Sequence, residues 1–529
     1  MYTAQAIVFA LLSSFSFATG SLIVSTAQGS VVGTQALPRV REWLGIPFAI
    51  AARWTAPSLP ATRTSPFNAN AYGPSCHQLT NPTIDYYLKF AHQDEPLTVS
   101  EDCLSLNIWA PSTSRPQNTA VLIWIYGGGF QFGASDLKVY NGRNFVRDND
   151  GLIIVTFNYR INMFGQPNAP QLVSATDSQN FGLLDIKAAI DWVESNIAGF
   201  GGDPNRISIF GQSAGAIAAD IYAQAYPTDT TVKGMILQSG SISWLSDGGS
   251  PTLDPAPWHT VAQAVGCGNS ATPAQFTCMQ GKSAASLIQA ARDANLIFFK
   301  LVTDSTFPFL DMGGFKIHWS IQDIILHSDW ANRMATGNFL KVPTVIGTVQ
   351  HESDTFTVGG SLATRGNAPP FITTARADIL TQVGDTCGAS SASKGRYDNG
   401  VTTWRYQYQA VWPGISTRQD LRAFHGADIP IVFGTFASVQ TNPPMDHEVA
   451  FSLYVKNVWA EFAKNPSAGL TGVGWPTYNP SADTLVQLGN VENLTGHSLA
   501  SPSLLDATCA HATTLRAILE QYNTILSSI

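Results

Sequence analysis

The pentapeptide Gly211-Gln212-Ser213-Ala214-Gly215 constrains this chain more than any other stretch. A short apolar run, Ile207-Ser208-Ile209-Phe210, precedes it, and the small residues Ala216-Ile217-Ala218-Ala219 follow. Strand, sharp turn, then helix is the setting in which a G-x-S-x-G match becomes chemically meaningful. The turn forces the central serine into a strained backbone conformation. Glycines two residues to either side let strand and helix pass closely without Cβ clashes. Ser213 would then project its hydroxyl above the sheet edge, at the positive end of the following helix. A chain with 44 glycines also meets this pattern by chance, so the surrounding sequence has to carry the reading.

That surrounding sequence has a regular texture. Residues 120–126, 152–157, 207–210, 234–238 and 342–347 are short apolar runs, with helix-like segments such as 181–197 and 216–226 between several of them. Buried strands alternating with helices predict an α/β fold: a mostly parallel central sheet with helices on both faces. Residues 22–47 read instead as an antiparallel sheet edge, with short β-like runs and glycine turns. Residues 248–340 and 355–424 are longer and less regular, and are expected to be cap-forming insertions above the sheet. No internal repeat, heptad run or low-complexity linker interrupts the chain, so one elaborated domain over residues 21–529 is the simplest account.

Composition narrows the function classes. Only 12% of residues are charged and the net charge is −8. No basic block exists to grip phosphates, which argues against nucleic acid as a partner. The apolar run at residues 6–18 is too short to span a bilayer. Small residues follow, so residues 1–20 read as a secretory signal peptide cleaved near Ala18 or Gly20, although its start lacks Lys and Arg. Nothing else is long and apolar enough for stable membrane insertion. The six cysteines, Cys76, Cys103, Cys267, Cys278, Cys387 and Cys509, read as three disulfides of open connectivity in an exported chain. Asn493-Leu494-Thr495 is a glycosylation sequon, whereas Asn465 and Asn479 are each followed by proline. The chain reads as secreted.

An activated serine needs a base, an orienting carboxylate and donors for an oxyanion. Gly127-Gly128-Gly129-Phe130 follows the strand ending at Tyr126. Its glycine N–H groups are free to face a substrate oxygen, which makes Gly128 and Gly129, with the N–H of Ala214, the candidate oxyanion hole. The acid belongs at the C-terminal end of a later strand. There the run ending at Val349 leads into Gln350-His351-Glu352-Ser353-Asp354, with Glu352 the first choice and Asp354 its alternative. The base should follow the acid in chain order. Of His425, His447, His497 and His511, the loop histidine His425, just ahead of Ile429-Pro430-Ile431-Val432-Phe433, is preferred, and His447 is also loop-like.

At these residues the chain resembles the type-B carboxylesterases, the cholinesterase and fungal lipase family of the α/β-hydrolase fold. The resemblance runs from about Thr26 to the C-terminus. It rests on Leu44-Gly-Ile-Pro-Phe-Ala49, Glu101-Asp-Cys-Leu-Ser-Leu-Asn-Ile-Trp109, Trp124-Ile-Tyr-Gly-Gly-Gly-Phe130, Asn158-Tyr-Arg160, Gly199-Phe-Gly-Gly-Asp-Pro204 and Phe424-His-Gly-Ala-Asp428. The resemblance implies Ser213, Glu352 and His425 as the catalytic triad. It implies Ser239 as a serine supporting the acid–histidine pair, and the pairings Cys76–Cys103, Cys267–Cys278 and Cys387–Cys509. Arg53 with Glu101, and Arg160 with Asp185, match the family's structural ion pairs. Phe130, Trp244 and Phe307 lie where pocket aromatics are expected, with core packing as the plainer role.

Departures from the pattern bear on substrate. Gln212 stands where cholinesterases carry a glutamate, and the loop between Cys76 and Cys103 holds Tyr86 and Tyr87 but no tryptophan. A quaternary ammonium thereby loses its main attractions. The same loop is short and fairly polar, unlike a lid that offers an apolar face to an oil surface. Ser353 replaces the glycine usual after the acid. The expectation is a secreted, cofactor-independent serine hydrolase of soluble or moderately hydrophobic esters. An interfacial lipase or sterol esterase is the alternative within enzymes, and a non-catalytic binding protein on the same scaffold is the alternative outside them.

Overall fold

A computed structural model describes residues 22–79, 96–174, 176–243, 255–294, 296, 324–327, 329–355, 370–415, 421–440, 442–512 and 514–515. The expected signal peptide, Tyr86, Tyr87, Trp244 and Phe307 lie outside the described residues. An eleven-stranded sheet organises the chain. Its strands are β1 (Thr34–Leu37), β2 (Val40–Pro47), β3 (Ser105–Pro111), β4 (Thr119–Ile125), β5 (Leu152–Phe157), β6 (Gly202–Gln212), β7 (Val232–Gln238), β8 (Thr344–Val349), β9 (Thr403–Tyr408), β10 (Leu485–Asn490) and β11 (Asn493–Ala500). Their order across the sheet is β11-β10-β9-β8-β7-β6-β4-β5-β3-β2-β1. Every pairing from β5 through β4 to β10 is parallel, and antiparallel strands flank both edges.

Parallel strands need both faces covered, and β9 shows how that is done. Trp404 and Tyr406 pack on Phe462 and Trp459 of the helix Asp446–Lys464, while Tyr408 meets its Phe451. Arg405, pointing to the opposite face, reaches Asp506 and the Thr386 carbonyl. On that side the helix Ala214–Ala225 is tied to the helix Cys387–Asp398 through Asp220 and Arg396, both fully buried. A single apolar core runs through strands and helices alike.

One expectation needs correcting, and one element was missed. The segment 355–424 is not all insertion, because β9 lies inside it. Buried Arg405 and Gln407 break up its apolar pattern, and partners on the second face are what satisfy them. The long helix Asp446–Lys464 is absent from the sequence reading, although Phe451, Val455, Val458, Trp459 and Phe462 form a helical stripe that the structure buries.

Strand order fixes where a site can form. From β4 the chain moves outward to β5, then crosses back to β6 on the other side of β4. A crevice opens where the winding reverses, beyond the carboxyl ends of those two strands. The sharp turn after β6 fits there because it carries no Cβ atoms at its crossing points. A Cβ on Gly215 would lie 1.9 Å from the Ile125 carbonyl oxygen, and one on Gly211 would lie 2.5 Å from the Gly215 carbonyl carbon. Gly215→Ala should therefore overpack the β4–β6 junction at a cost of about 3 kcal/mol, seen as a melting temperature several degrees lower. Gly472→Ala, where a Cβ meets nothing within 4 Å, should melt like the parent protein.

Candidate active site

The backbone ladder of the sheet continues past the strand ends and ties four loops together. The Ser213 N–H donates to the Gln238 carbonyl at 2.8 Å, and the Ser239 N–H to Gly347 at 2.8 Å. Gln350 and His351 donate to Tyr408 and Ala423 at 2.9 Å each. The loops carrying the serine, Ser239, Glu352 and His425 are thus extensions of one rigid frame. Strain gathers in the same place. Ser213 has φ 57° and ψ −127°, and Ser239 and Phe130 also sit at positive φ. Such conformations cost on the order of 1–3 kcal/mol each and persist only where the surroundings over-determine them.

The carboxylate and imidazole meet directly. Glu352 Oε2 lies 2.5 Å from His425 Nδ1, and Glu352 Oε1 accepts the Val349 N–H at 2.8 Å. The carboxyl is fully buried, which pushes its pKa up; the Ser239 hydroxyl and the Val349 amide temper that rise. Ser239 Oγ is buried beside this carboxyl. The imidazole is mostly buried, at 12% side-chain exposure. Desolvation lowers its pKa, while the negative charges of Asp385 and Asp428 oppose that fall. With Nδ1 donating to a carboxylate, the neutral ring carries its lone pair on Nε2. Gln212 Nε2 lies 2.9 Å from that nitrogen.

On the other side of Ser213 stands the glycine loop. A Cβ on Gly127 would be 2.9 Å from the Ser213 Cβ, so the loop rests directly against the serine. Gly128 and Gly129 have φ 107° and 59°, and their N–H groups donate to no acceptor among the described residues. Ala214 opens a helix, where its N–H has no intrahelical acceptor. Together these amides and the helix end offer positive potential beside the serine hydroxyl. Phe130 is fully buried with its ring near Tyr159, 6.5 Å between centroids, and so props the loop from beneath.

The rejected alternatives have other partners. Asp354 is held by Arg422, at 2.6 and 2.9 Å, and the same guanidinium reaches Asp378 at 2.7 Å. His351 Nδ1 joins this group at 3.1 Å from Asp378. The cluster clamps the Glu352 loop to the segment leading into His425. His447 lies near Trp412, its ring tilted by 42°, at the start of the helix Asp446–Lys464. Sulfur bonds join Cys76 to Cys103, Cys267 to Cys278 and Cys387 to Cys509. Arg160 grips Asp185 with two 2.8 Å bonds, and Arg53 pairs with Glu101. Asn493 is exposed at the start of the edge strand β11, its amide donating to His497 O at 3.0 Å.

Sequence reasoning missed two acids near the base. Asp428 is 2% exposed, accepts from Gln238 at 2.7 Å, and Gln238 in turn accepts from Trp459. Asp385 is 3% exposed on a π-helical turn, Thr381–Thr386, whose Thr381 hydroxyl accepts the Ser353 N–H at 3.0 Å. A π-turn has no local sequence pattern, so only its packing reveals it.

Comparison with known proteins places these features in a family. Residues 20–367 match the family model described as the carboxylesterase family. A chlorogenic acid esterase of Aspergillus niger is 30% identical, covering 90% of this chain and 92% of its own length. Secreted lipase 5 of Gibberella zeae is 30% identical over 77% of this chain and 76% of its own. An acetylcholinesterase of Bungarus fasciatus is 28% identical over 92% and 88%. A solved structure of a PNB esterase superposes with TM-score 0.70 at 24% identity, covering 93% of this chain and 99% of that one, which shows a shared fold.

The buried imidazole makes a pH prediction. A histidine whose pKa is lowered stays neutral to more acidic pH, so His425 should gain its proton only below the ordinary value of about 6.5. An NMR titration of its ring signal, identified by its loss in His425→Gln, should show a midpoint below that value. A midpoint above it would contradict the dominance of burial over the neighbouring carboxylates.

Proposed function

The chain belongs to the carboxylesterase family and is a carboxylic ester hydrolase; from that premise we propose a secreted enzyme that works through an acyl-enzyme on Ser213. The reading is carried by one observation. The Glu352–His425 pair meets, at Gln212, the residue adjoining a strained serine, and the amides of Gly128, Gly129 and Ala214 are free to donate.

In this scheme Ser213 Oγ attacks the ester carbonyl carbon while His425 Nε2 takes the hydroxyl proton. Glu352 holds the ring tautomer and balances the imidazolium charge. The new oxyanion accepts hydrogen bonds from Gly128, Gly129 and Ala214. Collapse breaks the bond to the leaving oxygen, which takes the proton back from His425 and departs as an alcohol. Water then gives a proton to His425, attacks the acyl carbon, and the second collapse releases a carboxylic acid and restores the Ser213 hydroxyl. The chemistry calls on the chain's own groups throughout.

Soluble or moderately hydrophobic esters are the proposed substrates. Gln212 brings no negative charge to the serine, and the Cys76–Cys103 loop brings no tryptophan, so a choline-like cation finds little to hold it. A chlorogenic acid esterase among the relatives supports this reading, and a secreted lipase supports an interfacial alternative. Export is supported by that secreted relative and by three disulfides, which persist in oxidising compartments.

Ser213→Ala should lower kcat/KM on a p-nitrophenyl ester by on the order of 10⁶-fold and abolish covalent labelling by a fluorophosphonate. Retention of the parent rate would sink the mechanism. Across acyl chain lengths, rates should peak on dissolved esters and show no rise when an emulsion forms. A sharp rise at the emulsion would assign the lipase alternative instead.

A further inference from the structure

Gln238 ends β7 and is fully buried. It pairs with Gln212 of β6 on one side and with Gly347 of β8 on the other. Its carbonyl accepts the Ser213 N–H at 2.8 Å. Its side-chain amide is held at both ends. Trp459 Nε1 donates to Oε1 at 3.1 Å, and Nε2 donates to Asp428 Oδ2 at 2.7 Å. An indole N–H can only donate, so the carbonyl end of the amide must face Trp459 and the NH2 end Asp428. Asp428 closes the turn that presents His425. There the Ala427 N–H donates to the Phe424 carbonyl at 2.9 Å and the Ile429 N–H to Gly426 at 3.1 Å. The histidine loop is therefore anchored on both sides, by Arg422 on Asp354 before His425 and by Asp428 on Gln238 after it.

We infer that Gln238 is a positioning residue for the base: through Asp428 its side chain fixes the loop that carries His425 and keeps a negative charge near the imidazole, while its main chain fixes the turn that carries Ser213. This rests on the proposed roles of Ser213 and His425. The bonds of Gln238 go to a backbone N–H, a carboxylate and an indole, so they take up no reacting atom. Burial raises the pKa of Asp428, and the Gln238 N–H opposes that rise, because it bonds best to an ionised carboxylate. The acids that face His425 are Glu352, Asp385 and Asp428. Around Asp428 stand His425, Glu352 and the phenols of Tyr140, Tyr406 and Tyr408, which burial keeps neutral. When Ser213 gives up its proton, the imidazolium thus has Asp428 as well as Glu352 to balance it. Without the amide, the buried carboxylate loses a donor and takes up a proton more readily, and its charge at His425 is lost.

The test measures the acidic limb of kcat/KM on p-nitrophenyl acetate, which follows protonation of His425 in the free enzyme. Removing a negative charge disfavours the imidazolium, so Asp428→Asn should move the midpoint down by about half a pH unit or more. Gln238→Met, similar in length but without the donor, should move it in the same direction. Its kcat should fall by roughly 10²-fold with KM near the parent value, as a misplaced base gives. In the double variant the two shifts should not add, because Gln238 acts through Asp428. A merely structural role lowers the rate and the melting temperature and leaves the midpoint in place. An unmoved midpoint in Gln238→Met, or shifts that add, overturns the inference. Should Gln238→Met not fold, the nearly isosteric Asp428→Asn still decides, since an unmoved midpoint there leaves no charge for Gln238 to hold and also overturns it. His425→Ala separates the two levels. If it keeps the parent rate, the triad reading itself fails. If it is inactive while Gln238→Met and Asp428→Asn keep the parent midpoint, the triad stands and the role of Gln238 falls.

Discussion

The close approach of backbone to backbone at the end of β6 governs the rest of the structure. Gly215 passes within van der Waals range of the Ile125 carbonyl, and Gly127 lies against Ser213 and the Gln212 amide. A Cβ at any of these positions would push strand, helix and glycine loop apart. Because none is present, the helix Ala214–Ala225 starts directly over the β4–β6 junction and its first N–H joins those of the glycine loop. The same contact that packs the fold therefore brings the proposed oxyanion donors to the serine.

Electrostatics follows from that packing. A buried carboxyl beside a buried imidazole is an expensive arrangement, since desolvation disfavours the charged form of each. The frame offsets this with the hydrogen bond from Val349 to Glu352 and with the polar Ser239 hydroxyl and Gln212 amide set beside the pair. Around the pair, the bonds of Arg422 to Asp354 and Asp378 hold the two loops in register without adding a charge to the imidazole itself. Position along the chain made Asp354 as plausible an acid as Glu352. Its capture by Arg422 is what separates their roles.

Much of the fold was legible because parallel strands buried on both faces leave unbroken apolar runs, as in β4 and β5. Where a strand buries polar side chains, as β9 does with Arg405 and Gln407, the pattern disappears, and residues 403–408 were read as part of an insertion. The sequence motifs also identified the glycine loop and the strained turn, since both depend on residues whose small size is itself the signal. Asp385 was invisible as a neighbour of the base, because its place on a π-turn has no local pattern. Asp428 follows His425 by three residues at the start of the helix Ile429–Phe433, but nothing local announced its burial.

By itself the amino-acid sequence determined the parts with local causes: the glycines that permit the turn at Ser213, the mostly parallel α/β sheet, and the ordered motifs of a carboxylesterase. Tertiary structure alone decided which side chain lies at the second nitrogen of His425 and that Asp385 stands near it. These choices depend on contacts between residues far apart in the chain, where the ladder of the sheet, rather than any local pattern, sets the distances.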